Sequence, residues 1–291
     1  MRSTFFPALL AFTLLCLADA GCKKESAGIT SDIALNFYSA SDAMWAAYAP
    51  PRYTTAIYVD TFIVQQSHIG NSSNLPFPYF VYGYNTREYP QLVNRGQVLY
   101  TRFLAGPHRL RFTDAANQVV IDTIIRPDVP GGYASLYLFD ATTAPGATAA
   151  FRLLSVPEDR SPAPPGKTAV RFVHVSPDAG DLDVAIAGKD GTPLAPLSLK
   201  LQYGAASPYQ NMDSTMVTDG VLHLKLTNAG TTSSIVTGIP FIAGERYTIV
   251  ITGFRQNQQQ KIAMDQQADG TAIYQQINIP ANLRAEIRRM Y

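Results

Sequence analysis

The sequence predicts an all-β protein made of two tandem antiparallel β-sandwich domains followed by a short C-terminal helix. Three observations lead to this fold class. Segments such as HLKLT (223–227) alternate polar and apolar residues, which is the period of a strand buried on one face. Glycines and prolines, 20 of each, separate such segments at short intervals. The chain also contains two copies of one β-rich unit.

Residues 1–21 are predicted to be a secretory signal peptide. Arg2 supplies the positively charged start, and residues 5–17 form an apolar stretch that is too short to cross a bilayer comfortably. No second apolar stretch of membrane-spanning length follows in the sequence. We therefore expect the mature chain to be exported and to lack an integral membrane segment.

Two cleavage sites compete at the end of this segment. Ala18-Asp19-Ala20 suits an ordinary signal peptidase, which would release a secreted soluble protein. Gly21-Cys22 resembles the end of a bacterial lipobox, and Lys23-Lys24-Glu25 resembles the charged tether of Bacteroidetes-type lipoproteins. We expect lipidation at Cys22 and a lipid-anchored tether over residues 22–32. The protein would then be an outer-membrane lipoprotein, facing the cell surface or the periplasm, with the lipid bilayer as a partner.

The repeated unit sets the domain boundaries. GPHRLRFT (106–113) and GVLHLKLT (220–227) lie 114 residues apart, and the same spacing places Tyr133 on Tyr247. We therefore predict a first β-sandwich, the more divergent copy, over residues 33–156 and a second over residues 168–280. Between them, residues 157–167 contain four prolines and are predicted to be an extended linker.

The last eleven residues, 281–291, are predicted to form the C-terminal helix. Leu283, Ile287 and Met290 recur at helical spacing and would share one apolar face.

Charge and composition exclude several classes of protein. The net charge is +1 and only 15% of the residues are charged, whereas a nucleic-acid-binding protein needs a basic excess to neutralise phosphates. Two cysteines cannot form a multi-disulfide scaffold or a four-cysteine zinc site. We expect no nucleic-acid partner and no cofactor.

The second copy carries a family resemblance. The segments VRFVHVSPDAGDLDVAIAG (170–188), YGAASPY (203–209), HLKLTNAG (223–230) and IPFIAGERYTIVITG (239–253) resemble the bacterial "domain of unknown function 4397". The resemblance covers residues 168–254 well and residues 33–140 loosely. It implies immunoglobulin-like β-sandwiches, often in tandem, in secreted or surface proteins. It implies no catalytic residues, since none are established for the family.

One polar cluster could carry chemistry. His174, Asp178, Asp181 and Asp183 are close in sequence, and three carboxylates could bind calcium. The Ser-Pro-Asp sequence that ends at Asp178 is also typical of a turn, which is the interpretation we favour. We predict no metal site, no catalytic residues and no enzymatic activity. An enzyme with a shallow site near His174 and Asp178 is an alternative.

Aromatic residues give the better prediction of a binding surface. Trp45, Tyr48 and Tyr53 lie in a proline-containing segment of the first copy, where rigid aromatic rings suit a protein or glycan partner. Their alternative role is to fill the sandwich core. We predict a non-enzymatic cell-envelope lipoprotein that binds or scaffolds a partner. A carbohydrate-binding accessory surface protein is the alternative within the binding class.

Overall fold

Most of the described residues that have regular secondary structure are in β-strands. The computed structural model describes residues 32–46, 57–63, 79–81, 84–89, 97–114, 116–126, 132–228 and 234–290. These ranges contain 22 strands, one short α-helix and one 3₁₀ turn. The predicted all-β fold class is therefore confirmed. No helix in these ranges is long and apolar enough to cross a membrane.

The described residues of the first half form two larger sheets and one two-stranded sheet. Its elements are β1 (Asp32–Ser39), α1 (Asp42–Ala46), β2 (Ile57–Val59), β3 (Phe62–Ile63), β4 (Tyr79–Val81), β5 (Tyr84–Thr86), β6 (Glu88–Tyr89), β7 (Thr101–Leu104), β8 (His108–Thr113), β9 (Val119–Ile125), β10 (Tyr133–Asp140) and β11 (Phe151–Glu158). One sheet has the order β11-β10-β1-β6, with β7 also paired to β1, and the other has the order β3-β2-β8-β9. Strands β4 and β5 form a separate hairpin.

The second half repeats this arrangement of strand pairs. Its elements are β12 (Lys167–His174), β13 (Leu182–Ala187), β14 (Pro193–Leu201), β15 (Ala205–Ala206), β16 (Gln210–Asp213), the 3₁₀ turn (Ser214–Met216), β17 (Val221–Asn228), β18 (Ser234–Pro240), β19 (Arg246–Thr252), β20 (Gln258–Gln266), β21 (Ala272–Ile279) and β22 (Arg284–Arg289). One sheet has the order β15-β12-β19-β22, with β16 also paired to β12, and the other has the order β14-β13-β17-β18. Strands β20 and β21 form an added hairpin.

Among the described strands, each half has one parallel pair, so the prediction of purely antiparallel sheets is wrong at these positions. β1 pairs in parallel with β10, and β12 pairs in parallel with β19. In each half these are the first strand and a late strand, which are far apart in sequence. Apolar alternation shows which face of a strand is buried, but it carries no information about strand direction.

Equivalent residues of the two halves are 114 residues apart in one pair of strands and 113 residues apart in the strand that follows. Leu110 pairs with Thr123, and Leu224 with Thr237, which preserves the spacing of 114. In the next strand the core residues Leu136 and Ile249 correspond, which is a spacing of 113. The predicted superposition of Tyr133 on Tyr247 is therefore wrong by one residue. Because neighbouring residues of a strand face opposite sides, this shift exchanges the core face and the outer face.

The predicted C-terminal helix is also wrong. Residues 284–289 form β22, which pairs antiparallel with β19 and places Ile287 opposite Ile249. The open edge of β19 offers hydrogen bonds to every second residue of the segment, and Arg288 then faces a buried acidic partner. Three apolar residues at helical spacing were too weak a pattern to decide between these structures.

Two sandwich cores and a shared seam hold the halves together. The first core includes Phe37 and Leu136, and the second includes Phe172 and Ile249. A further apolar cluster joins the facing sheets β11-β10-β1 and β12-β19 across the two halves. Its buried members are Tyr38, Ala40, Tyr137, Phe139, Val156, Val173, Val175 and Val250. β11 ends at Glu158 and β12 begins at Lys167, so residues 159–166 connect the halves within the predicted linker.

Candidate ligand-binding surface at the seam

Buried ion pairs cross the seam between the halves. The Arg288 guanidinium of β22 donates to the Glu88 carboxylate at 2.8 Å, to the Tyr137 hydroxyl at 2.6 Å and to Oδ1 of Asn36 at 2.6 Å. Burial raises the pKa of Glu88 above its usual value, although the charge of Arg288 opposes that shift. All of these groups are buried, so each depends on the others for its hydrogen bonds.

A second buried ion pair crosses the seam between β12 of the second half and β11 of the first half. The Arg171 guanidinium of β12 forms an ion pair with Glu158 and donates to Oγ1 of Thr248 at 3.0 Å. It also donates to the carbonyl of Pro157 at 2.9 Å. Arg171 and Asn36 occupy corresponding positions of β12 and β1, so both halves present a polar residue to the seam at the same place.

At one end of the seam, helix α1 is held by a carboxylate from β10. Asp140 accepts the backbone N–H of Asp42 at 2.8 Å, and it also accepts the Ser41 hydroxyl. Ser41 caps the helix, since its Oγ accepts the N–H of Met44 at 2.9 Å. Met44 and Ala43 point into the protein and fix the helix in place. The helix N-terminus is therefore held by Ser41, which follows β1, and by Asp140 of β10.

Burial raises the pKa of Asp140 to about 7, although its hydrogen bonds from Ser41 and the helix N–H groups favour the charged form. The folded protein therefore binds a proton at this carboxyl over a pH range in which the unfolded chain has lost it. It follows that this group makes the free energy of unfolding fall as the pH rises from about 4 to about 7.

We expect Asp140→Asn to flatten that pH dependence, because the variant has no carboxyl to titrate. The measurement is urea unfolding of the wild type and the variant at pH 4, 5.5 and 7, with the difference between them compared at each pH. Asp122→Asn is the matched control, since Asp122 is an exposed carboxylate paired with Arg109. Equal pH slopes in the wild type and Asp140→Asn would show that Asp140 does not titrate in this range.

The neighbouring carboxylate, Asp42, joins the two halves. It forms an ion pair with Arg87 at 2.6 Å and with Arg284 of β22 at 3.0 Å, and it accepts Nδ2 of Asn282 at 2.7 Å. Burial alone would raise its pKa, but the hydrogen bonds and charges of Arg284 and Arg87 lower the pKa below the usual value. Asp42 is therefore ionised at neutral pH, beside the Asp140 carboxyl, whose pKa burial raises to about 7.

Trp45 lies on the outer side of this junction. It is the last but one residue of α1, is half-buried, and carries the Arg87 guanidinium at 4.7 Å from its ring centroid. Arg87 is fixed in turn by Asp42 and by the carbonyls of Ser39 and Ser41. Trp45 is thus held at the surface by a helix and a cation rather than in the loop that the sequence predicts. Tyr48, Tyr53 and Cys22 lie outside the described residues.

The polar cluster of the second half serves the fold. His174 is fully buried, and its Nε2 and Nδ1 contact the carbonyl of Gly180 at 2.7 Å and the N–H of Ser176 at 3.4 Å. Burial lowers the pKa of His174, so the ring is neutral at physiological pH. Asp178 accepts the N–H groups of Arg255 and Gln256 at 2.7 Å and 3.0 Å.

The structure does not gather the rest of this cluster around a common centre. Asp181 forms an ion pair with Lys200 at 3.1 Å, and Asp183 is exposed on β13. Within the described ranges, no three His, Cys, Asp or Glu side chains form a group that could hold a metal ion. The Ser-Pro-Asp sequence forms the turn that was expected, with Asp178 tying it to the segment after β19.

A groove provides a second surface in the first half. It has a volume of about 640 Å³ and lies between two outer strands, with residues 120–126 on one side and Leu153, Ser155 and Pro157 of β11 on the other. Val119 and Ile124 of the same outer strand are exposed. Pro157 has no N–H and Asp122 is charged, and both features disfavour the addition of another strand here.

Sequence reasoning did not find Asp140, Arg87 or Arg284 as parts of a site. Asp140 is 98 residues from the helix N–H that it accepts, and Arg284 is 242 residues from Asp42. Only the fold brings these groups together. The one available signal was the pair of serines and the aspartate at 39–42, which is typical of a helix N-terminus.

These features define the class of protein: an all-β chain of two matching β-sandwich halves, joined at a seam of buried ion pairs with Trp45 at one end. A family model described as "Domain of unknown function (DUF4397)" matches residues 81–185, about one third of the chain. The match runs from β4 in the first half to β13 in the second, and similarity to this family is confirmed for those residues. A search of curated proteins finds no match to the chain.

Proposed function

We propose that the protein is a cell-envelope lipoprotein whose folded body binds or scaffolds a partner without catalysing a reaction. The observation that carries this proposal is the use of its strongest catalytic candidates, His174 and Asp178, as internal supports of the fold. Neither ring nitrogen of His174 is directed to solvent, and Asp178 is occupied by backbone N–H groups. A general base needs hydrogen-bond access to a substrate, which this arrangement does not offer.

The anchor is proposed from the N-terminal sequence. Cleavage before Cys22 would leave a single cysteine in an oxidising compartment, and acylation would cap that thiol. Lys23-Lys24-Glu25 would then begin a polar tether between the membrane and β1. The outer membrane, with the body facing the surface or the periplasm, is the proposed location. A secreted soluble protein cleaved after Ala20 is the alternative.

Growth of the producing cells with a radioactive fatty acid tests the anchor. We expect label on the wild-type protein and none on Cys22→Ser, because the thiol is the acceptor. Cys16→Ser is the matched control, since Cys16 lies in the proposed signal segment and should leave the labelling unchanged. Label retained on Cys22→Ser would contradict lipidation at this residue.

We further propose that both halves are modules of the matched family, including the part of the second half that the family model does not cover. The support is the strand pairing, which repeats β1–β10 as β12–β19, β2–β8 as β13–β17 and β10–β11 as β19–β22. If one module was duplicated, the two sheets that face each other across the seam are equivalent sheets of the two modules. The seam would then be the feature that the duplication created.

Glycan binding at Trp45 is the second candidate function. The observation that favours it is a half-buried tryptophan whose neighbouring charges, Arg87 and Asp42, are already fixed in position. Rigid aromatic rings beside oriented polar groups are suited to stacking on a sugar ring.

A glycan array followed by titration tests this function. We expect Trp45→Ala to weaken binding to any glycan bound by the wild type at least tenfold, because the stacking surface is removed. Tyr274→Ala is the control, since Tyr274 is an exposed aromatic residue on the β20–β21 hairpin. Equal binding by the wild type and Trp45→Ala would exclude Trp45 as the platform and favour a protein partner.

A further inference from the structure

Strand β21 forms an outer edge with an unusual composition. Its sequence AIYQQINI contains no charged residue, no glycine and no proline. Within the described residues it pairs only with β20. Ile273 and Tyr274 are 44% and 50% exposed, and Gln275 and Gln276 are exposed as well. An edge strand of this length that contains no charged residue, glycine or proline can bind another strand through its unpaired backbone groups.

The hydrogen bonds of β20 show which backbone groups of β21 point outward. Lys261 donates to the carbonyl of Ala147 at 2.8 Å and accepts the N–H of Ala149 at 2.9 Å, so its backbone faces away from β21. In an antiparallel pair the residues on either side of Lys261 must then bond to β21. Those residues, Gln260 and Ile262, lie opposite Ile277 and Gln275.

It follows that the alternate residues of β21 direct their N–H and C=O groups away from the hairpin. These residues are Tyr274, Gln276 and Asn278. Among the described residues no strand other than β20 pairs with β21, so these three residues present a row of three N–H donors and three C=O acceptors at the spacing of a strand.

The other long outer strands carry devices that oppose pairing. Those of six or more residues contain a proline or a charged residue: Asp122 in β9, Pro157 in β11, Pro193 and Pro196 in β14, Pro240 in β18, and four charged residues in β22. Charges and prolines on edge strands are the usual protection against addition of another strand. β21 lacks this protection, which singles it out as an interaction edge.

We propose that β21 of one copy pairs antiparallel with β21 of a second copy, with a twofold axis at Gln276. This register sets Gln276 opposite itself and Tyr274 opposite Asn278 of the second copy. Each of these three pairs exchanges two backbone hydrogen bonds, giving six in all. The two hairpins would become one continuous four-stranded sheet, and the contact would be isologous.

The composition of the edge favours a second copy over an unrelated partner. Self-pairing brings each residue against a residue from the same neutral strand, so no like charges meet, and Ile273 lies opposite Ile279 of the second copy. Self-pairing of β9 in the same way would bring Asp122 against or close to its own copy. A contact through one strand buries little surface, so we expect a weak, concentration-dependent dimer.

Sedimentation velocity of the purified protein over a wide concentration range tests the proposal. We expect the wild-type sedimentation coefficient to rise with concentration toward that of a dimer. Gln276→Pro should stay monomeric at every concentration, because proline removes an outward N–H while the bonds of β21 to β20 remain. Gln276→Thr keeps that N–H and should dimerise like the wild type.

A second test uses cross-linking and does not depend on the proline variant, which would also stay monomeric if the β20–β21 hairpin were lost. The twofold axis brings the two Gln276 Cα atoms to about 5.5 Å, which is within reach of a disulfide. Gln276→Cys should therefore give a covalent dimer on mild oxidation, whereas Lys261→Cys, exposed on β20, should not exceed the wild-type background. A wild type that stays monomeric, a Gln276→Pro variant that dimerises equally, or equal cross-linking of both cysteine variants would overturn the proposal.

Discussion

Replacing Arg288 with methionine is expected to lower the free energy of unfolding by about 3–5 kcal/mol. Methionine fills much of the volume but supplies no donors, so Glu88 is left as a buried carboxylate without its ion-pair partner. The Tyr137 hydroxyl and the Asn36 side chain each lose a hydrogen bond as well. Urea unfolding followed by circular dichroism measures the change.

The neighbouring residue provides a matched control. Arg289 also forms an ion pair, with Glu245, but a third of its side chain is exposed. Arg289→Met should cost about 1 kcal/mol or less, because a partly exposed ion pair contributes little and loss of the guanidinium opens the Glu245 carboxylate, 13% exposed in the pair, to water. The double variant Arg288→Met with Glu88→Leu should recover much of the lost stability, since it removes the uncompensated charge. Equal losses for the two arginine variants would show that the pair at the seam is not energetically special.

Phe172→Ala is the second large effect, with an expected loss of about 3–5 kcal/mol. Phe172 is fully buried in the core of the second half, in one cluster with Ile249 and Leu224. Removing the ring takes away its transfer free energy and leaves a cavity that close-packed sheets cannot fill. The measurement is again the midpoint and slope of urea unfolding.

Leu194→Ala is the control for this substitution. Leu194 is 64% exposed on β14, so its truncation should change the free energy of unfolding by about 0.5 kcal/mol or less. A loss below about 1 kcal/mol for Phe172→Ala would mean that the second core does not depend on this ring and that the assigned packing is wrong.

The sequence predicts strands correctly where burial of one face produces an alternation of polar and apolar residues. The alternation in HLKLT predicted β17. Leu224 and Leu226 lie in the core and Lys225 lies outside it, as the two-residue period of a strand requires. The matching strand β8 followed from the repeat. Fold class and the recurrence of one unit could therefore be predicted from local patterns alone.

What could not be predicted depends on partners that are distant in sequence. Residues 284–289 carry too few apolar positions to distinguish a helix from a strand, and the edge of β19 decides the outcome. Arg288 acquires its role from Glu88, which lies 200 residues away. Trp45 was predicted as an exposed aromatic residue, but the helix that positions it depends on Asp140 of another strand. The candidate surface is thus a product of the tertiary fold.

We expect the seam to make the two halves one cooperative unit. Native-state hydrogen exchange of β10 and β19, which face each other across the seam, measures this cooperativity. We predict equal exchange free energies for the slowest amides of both strands in the wild type, and an equal decrease in both for Phe172→Ala. A decrease confined to β19, with β10 unchanged, would show that the halves unfold independently and that the seam does not couple them.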